Sequence, residues 1–214
     1  PLVWMRKTAI SHQASAKTNN SRPHESRDTE LMVLGYQPGG GADAFEHTRE
    51  PFEDGDFSPP TTNDFATKDW DLAGEMQELF DGNQTILEES VGANIIFFRT
   101  PDTDEWGTLP SERRSEMKEF SLEYIDELIN RVDPSVILTI GLGTFDTVAS
   151  RLDQDRETIA SRETSRLVTR SSGDGPTILG ALHLTGARIS NSDQEKTYQH
   201  LKQELSEELP EFTE

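Results

Sequence analysis

The sequence predicts an α/β fold, a mostly parallel central sheet covered by helices on both faces. Three observations carry this expectation. The short apolar runs LMVLGY (31–36), NIIFFRT (94–100) and SVILTIGLG (135–143) do not alternate with polar residues, as strands buried on both faces do not. The stretches between them carry apolar residues at helical spacing. The two kinds of segment alternate along the chain, which places parallel strands in one sheet and makes a three-layer α/β/α arrangement.

Taken in order, residues 1–30 are polar and weakly periodic and read as a loosely tied arm, leaving 31–214 as a single domain. LMVLGY is the first strand. Residues 37–68 form a long loop rich in Gly, Pro, Asp and Thr, and loops of that length in compact domains are usually functional or disordered. DWDLAGEMQELF (69–80) puts Trp70, Leu72, Ala73, Met76, Leu79 and Phe80 on one helical stripe, with Asp69 as N-cap. NIIFFRT is the second strand, with Asn94 inside it. Residues 111–132 keep helical spacing through Met117, Phe120, Tyr124, Ile125, Leu128, Ile129 and Val132, and Asp133-Pro134 ends that helix.

SVILTIGLG is the third strand, and GLGTF (141–145) reads as a tight strand-to-helix turn into TFDTVASRL (144–152). RLVTRSS (166–172) and TILGALHLTG (177–186) are strands joined by Gly-Asp-Gly-Pro, and an amphipathic helix over about 192–209 follows.

Composition excludes several classes. With no cysteine, disulfides, thiolate metal sites and iron–sulfur clusters are impossible. No run approaches the roughly 18 apolar residues of a spanning helix. The chain therefore reads as a soluble cytoplasmic monomer that needs no cofactor and no metal. Its formal net charge is −20, and its Arg outnumber its Lys by 14 to 6. That charge repels nucleic acid at ordinary ionic strength. It suits an acidic partner-binding protein or nucleic-acid mimic, or else a chain adapted to a high-salt cytoplasm, where a Debye length of about 3 Å at 1 M removes the long-range repulsion. The basic residues concentrate in 1–30 and in 149–189, the second segment holding Arg151, Arg156, Arg162, Arg166, Arg170 and Arg188.

GYQPGGG (35–41) is neither G-x-x-x-x-G-K-[ST] nor G-x-G-x-x-G, so it is not a nucleotide-phosphate loop. Glu46, His47, Asp54 and Asp56 match no metal template and read as a solvated loop. Taken singly, His183 and Asn94 are ordinary structural residues. Their positions say more, because parallel sheets bind ligands beyond the carboxyl ends of their strands. Three strand ends there carry Gly35-Tyr36-Gln37-Pro38-Gly39, Asn94 with Phe97-Phe98-Arg99, and His183 with Thr185-Gly186-Ala187-Arg188.

The ordered combination G-Y-Q-P-G, N-I-I-F-F-R-T, D-P-S-V-I-L-T-I-G and H-L-T-G-A-R, spanning about residues 31–205, resembles the uracil-DNA glycosylase superfamily in its divergent bacterial and archaeal branches. The resemblance implies DNA with a damaged base as partner, and a base flipped out of the stack into a pocket. It implies that Asn94 reads the base edge, that Tyr36 and Phe65 lie against the base, and that His183 donates to the base oxygen as negative charge develops. Gly35, Pro38, Gly39 and Gly40 would form the backbone turn of the pocket floor. Arg166, Arg170 and Arg188 would hold phosphates. Active branches carry Asp, Asn or Glu in the first motif, where this chain has Tyr36 and Gln37. Gln37 can orient a water, although it cannot take its proton as a carboxylate does. Leu184-Thr185-Gly186 likewise replaces the usual proline and serine after the histidine. Base binding without excision and an acidic interaction module are the alternatives this leaves.

Overall fold

Leu31, Met32, Val33 and Leu34 are all buried, because the strand they form, β1 (Leu31–Gly35), is bonded on both sides and covered on both faces. It pairs in parallel with β2 (Val91–Asn94) and with β3 (Val136–Ile140). β3 pairs in parallel with β6 (Thr177–Ala181), β5 (Ser165–Ser172) runs antiparallel to β6, and β4 (Asp155–Arg162) runs antiparallel to β5. The chain is thus an α/β protein with a six-stranded mixed, mostly parallel sheet of order β2-β1-β3-β6-β5-β4, flanked by helices. The computed structural model describes residues 30–38, 62–100, 103–185 and 189–213. The arm over 1–29, Gly39, Gly40, the loop carboxylates and histidine at 46–56, and Arg188 lie outside the described residues.

Two apolar layers explain why the strand sequences do not alternate. Leu31, Val33, Leu138, Ile140 and Leu179 face Met76 and Leu79 of α2 (Asp71–Leu79), Leu87 of α3 (Gln84–Glu89), and Leu201 and Leu205 of α7 (Asn191–Glu208). Met32, Leu34, Ile137 and Ile178 face Ile125 and Ile129 of α5 (Ser111–Val132), and Phe145 and Val148 of α6 (Leu142–Arg151). Burying one such side chain contributes about 1.5–3 kcal/mol, so both faces of each inner strand select apolar residues.

The structure corrects several boundaries. The second strand is Val91–Asn94, not 94–100. Ile95 and Ile96 still donate to the Gly35 and Tyr36 carbonyls at 2.9 Å each, but Phe97 N turns to Ser121 Oγ of α5 at 3.1 Å. The apolar run IIFF thus leaves the sheet, with Phe97 against Tyr124 and Phe98 against Phe120. The first long helix starts at Asp71 with Trp70 at its N-cap, so Asp69 does not cap it and Trp70 is exposed rather than on the buried stripe. The last strand ends at Ala181, which leaves His183 in the turn beyond it. The charged strand β4 and the short helices α1 (Asp64–Thr67), α3 and α4 (Thr103–Thr108) have no apolar run to announce them.

The GLG segment is the strand-to-helix turn the sequence predicts. Gly141 sits at φ 94, a conformation open to glycine, and its N–H donates to the Ala181 carbonyl at 3.0 Å. α7 opens on a side-chain cap, with Ser190 Oγ accepting from Asp193 N at 3.1 Å and the Asp193 carboxylate meeting Arg162 of β4 at 3.0 Å. The bond to Ser190, and then the Arg162 guanidinium, hold Asp193 below its usual carboxylate value. A depressed folded-state pKa stabilises above the unfolded value and is lost as pH falls through the folded one. Asp193→Asn should therefore flatten the loss of thermal stability as pH falls below about 4, measured by circular dichroism.

Candidate functional site

The chain leaves β1 toward the α2–α7 layer and leaves β3 toward the α5–α6 layer. Strands whose exits diverge in this way open a crevice at their carboxyl ends. The registers pair Asn94 with Gly35, Leu34 with Thr139 and Ile140 with Ala181, so Asn94, Gly35, Ile140 and Ala181 form one row along that edge. At about 4.8 Å per strand, the row spans roughly 14 Å.

Asn94 ends β2 with its side chain lying across Gly35. A Cβ placed on Gly35 would come within 2.5 Å of Asn94 Oδ1, so the glycine is what lets the amide occupy this position. The amide makes no side-chain hydrogen bond to another described residue, although a primary amide offers donors and an acceptor together. Gly35→Ala should displace the Asn94 side chain and, by crowding that contact, destabilise the fold by about 1–3 kcal/mol in urea denaturation.

Asn63 lies on the same face of β2. Its amide sits where a Gly92 Cβ would come within 2.9 Å of Oδ1, and its Nδ2 donates to Ser90 Oγ at 2.7 Å. Asn63 Oδ1 also accepts from Phe65 N at 3.1 Å and so caps α1. That fixes Phe65 beside the face Asn94 occupies, while Gln77 Nε2 holds the Phe65 and Lys68 carbonyls at 3.0 and 2.8 Å. Phe65 is partly buried and meets the Trp70 ring edge-on, with centroids 6.2 Å apart.

Gln37 is a strut. Its Nε2 donates to the Phe98 carbonyl and to Thr100 Oγ1, both at 2.9 Å, tying the turn after β1 to the segment after β2. Its Oε1 is buried and has no partner among the described residues. Tyr36 is exposed, and its carbonyl takes the Ile96 N–H. No carboxylate stands between Gly35 and Pro38.

His183 is exposed in the turn after β6, with Nδ1 within 3.2 Å of the Thr185 carbonyl, 3.2 Å of Thr185 Oγ1 and 3.4 Å of Thr185 N. Two of those groups can donate a proton to Nδ1. When Nδ1 accepts, the ring proton sits on Nε2, which then faces outward as a donor. The turn is anchored from below: Gln194 Nε2 of α7 donates to the Leu184 carbonyl at 3.4 Å and to the Glu75 carboxylate of α2. Tyr198 also donates to Glu75, and burial, then this bond, raise its hydroxyl pKa above the ordinary phenol value.

Two of the three arginines proposed for phosphates, Arg166 and Arg170, are engaged inside the protein. Arg166 grips Asp146 of α6 with two bonds of 3.1 and 2.7 Å, and that carboxylate raises its pKa. Arg170 pairs with Glu204 at 2.8 Å and also meets Glu207 and Glu208 of α7. Among the described residues, no group of three or more His, Asp or Glu is gathered closely enough to hold a metal ion, and no helix is long and apolar enough to cross a membrane.

The structure thus brings Gly35, Tyr36, Gln37, Pro38, Asn94 and His183 to one edge, leaves Phe65 on the same face of the sheet beside Asn63 at the start of β2, and turns Arg166 and Arg170 onto acids of the helices. Sequence reasoning missed Asn63 and Thr100, and it named Thr185 after His183 without giving it a role toward the ring. Only Asn63 left a local signal, the Asn63-Asp64-Phe65 start of a helix. No protein-family model matches this chain, and no curated protein matches it.

Proposed function

We propose that this chain is a DNA-base glycosylase-like protein, hydrolysing the N-glycosidic bond of uracil or a related damaged base. The observation that carries the reading is the Asn94 amide, held over Gly35 at the carboxyl edge without another described side-chain partner, in the same row as the strand that presents His183. A flipped pyrimidine offers a donor and an acceptor side by side, which a primary amide matches. The resemblance of the G-Y-Q-P-G, N-I-I-F-F-R-T and H-L-T-G-A-R segments to the uracil-DNA glycosylase superfamily supports the same reading, including a fold of that type.

In the reaction, water adds to the anomeric carbon, the carbon–nitrogen bond breaks, and its electron pair leaves with the base. His183 Nε2–H donates to the base oxygen that takes up the charge. Gln37 is the polar side chain of the turn after β1 from which the water would be oriented, and the surplus proton passes to solvent or to the departing base.

A second reading, binding of a modified base without excision, is favoured by Gln37 itself. Its Nε2 is already committed to Phe98 and Thr100, and no carboxylate stands beside it to take a proton from water. A release assay on uracil-containing single- and double-stranded oligonucleotides, from low to molar salt, separates the two. Abasic product lost in Asn94→Ala and His183→Ala supports the enzyme, whereas uracil binding with no product at any salt supports the binder.

A further inference from the structure

Trp70 and Tyr36 are the exposed large apolar side chains among the described residues, at 44% and 39% exposure. Trp70 stands at the N-cap of α2. Glu75, further along that helix, is bonded to Gln194 and Tyr198 near the start of α7, and Gln194 reaches the Leu184 carbonyl in the turn after β6. Phe80, at the other end of α2, packs on Phe212 beyond the end of α7, with centroids 5.6 Å apart. α2 therefore runs away from the carboxyl edge, and Trp70 is its end at that edge. Through Phe65 and Asn63, the ring is also tied to the face of β2 that carries Asn94. An exposed indole thus stands at the end of α2 nearer the carboxyl edge, on the side of the sheet whose β2 face carries Asn94.

The overall charge of the chain argues against a phosphate-led grip, Lys68 being the basic residue beside Trp70 in sequence. The net charge is −20, and the described arginines of the basic segment, Arg151, Arg156, Arg162, Arg166 and Arg170, all meet acids of this same chain. Stacking of a base on an aromatic ring needs no cation, and salt does not screen it as it screens phosphate pairs.

Building on the glycosylase-like reading, we infer that this protein takes single-stranded nucleic acid by stacking an unpaired base on Trp70, next to the base held by Asn94, so that stacking rather than phosphate pairing carries most of the affinity. Phe65 is the supporting ring, packed into the core and turned edge-on to the platform.

The test is the anisotropy of a fluorescein-labelled oligothymidylate of about ten nucleotides carrying one uracil, titrated with the full chain from low to molar salt. Trp70→Ala should weaken binding roughly 5- to 100-fold, and Trp70→Phe should keep most of it. The wild-type slope of log affinity against log salt should be shallower than about −2, equivalent to fewer than about three phosphate contacts. A circular dichroism melt of Trp70→Ala, expected to match wild type, confirms that the fold is intact. Wild-type binding and base release with no effect of Trp70→Ala, or with a steep salt slope, overturns the stacking inference and leaves the glycosylase reading standing. Loss of self-association in Trp70→Ala, with oligonucleotide affinity unchanged, also overturns it and assigns the ring to an interface between copies. A wild type that neither binds the oligonucleotide nor releases uracil at any salt removes both proposals.

Discussion

His183→Ala should lower the rate of uracil release by roughly 10²–10³, the worth of one preorganised donor placed where negative charge develops. The loss should appear in kcat, with little change in the affinity for an uncleavable base analogue, because the donor matters most once charge has moved onto the base. Asn94→Ala should differ, since a group that reads the base edge in the ground state also raises KM and weakens the analogue. His183→Gln tests the geometry as well as the charge. The described partners of Nδ1 all belong to Thr185, so Thr185→Val should reproduce part of the His183→Ala loss by freeing the ring to rotate. Single-turnover release, measured alongside analogue binding, checks all four variants. If His183→Ala and wild type release uracil equally fast, the histidine has no part in the chemistry.

Phe145→Ala is expected to be the most damaging core change in the α5–α6 layer, costing about 3–5 kcal/mol by urea denaturation. Phe145 is fully buried between α6 and the sheet, and it fits because β6 has glycine beneath it. A Cβ on Gly180 would lie 2.6 Å from the Phe145 ring, so Gly180→Ala overpacks the same contact and should cost about 1–3 kcal/mol. The two sites touch, and the effects should not add. Gly180→Ala combined with Phe145→Ala should be less destabilised than the sum of the single changes, since removing the ring takes away Cγ and Cδ2, two of the three Phe145 atoms that the new methyl would meet at 2.6 Å. Additive losses would mean that the two positions do not share the contact. The consequence reaches the carboxyl edge, because Gly180 lies three residues before His183 on the chain that presents it.

Much of the sheet was legible because of its burial. LMVL, VILTI and TILGA are apolar without alternation, and only strands covered on both faces select such runs. The long α5 was legible from spacing, and its end from Asp133-Pro134, where Asp133 takes φ 49. β4 was not legible. Five of its eight residues are exposed at the sheet's edge, the first four in a row, so DRETIASR is selected for charge, and charge there also discourages edge-to-edge pairing. NIIFFRT misled for the opposite reason. Ile95 and Ile96 still bond to the chain leaving β1, but Phe97 and Phe98 pack against α5, and periodicity cannot tell which neighbour does the covering.

The candidate site divides the same way. The sequence by itself determined the α/β class and the glycine-rich exit from β1, since each is written in local residue order, whereas it opened a strand at Asn94 and ran one through His183 where the structure ends them at Asn94 and Ala181. Only the tertiary structure decided that Asn94 lies over Gly35, that Gln37 spends its amide on Phe98 and Thr100, that Arg166 and Arg170 are held by acids of α6 and α7, and that Trp70 stands exposed at the N-cap of α2. Each of these is a contact between residues at least 20 apart in the chain, or the lack of one, and such pairings follow from how the layers pack rather than from any stretch of sequence.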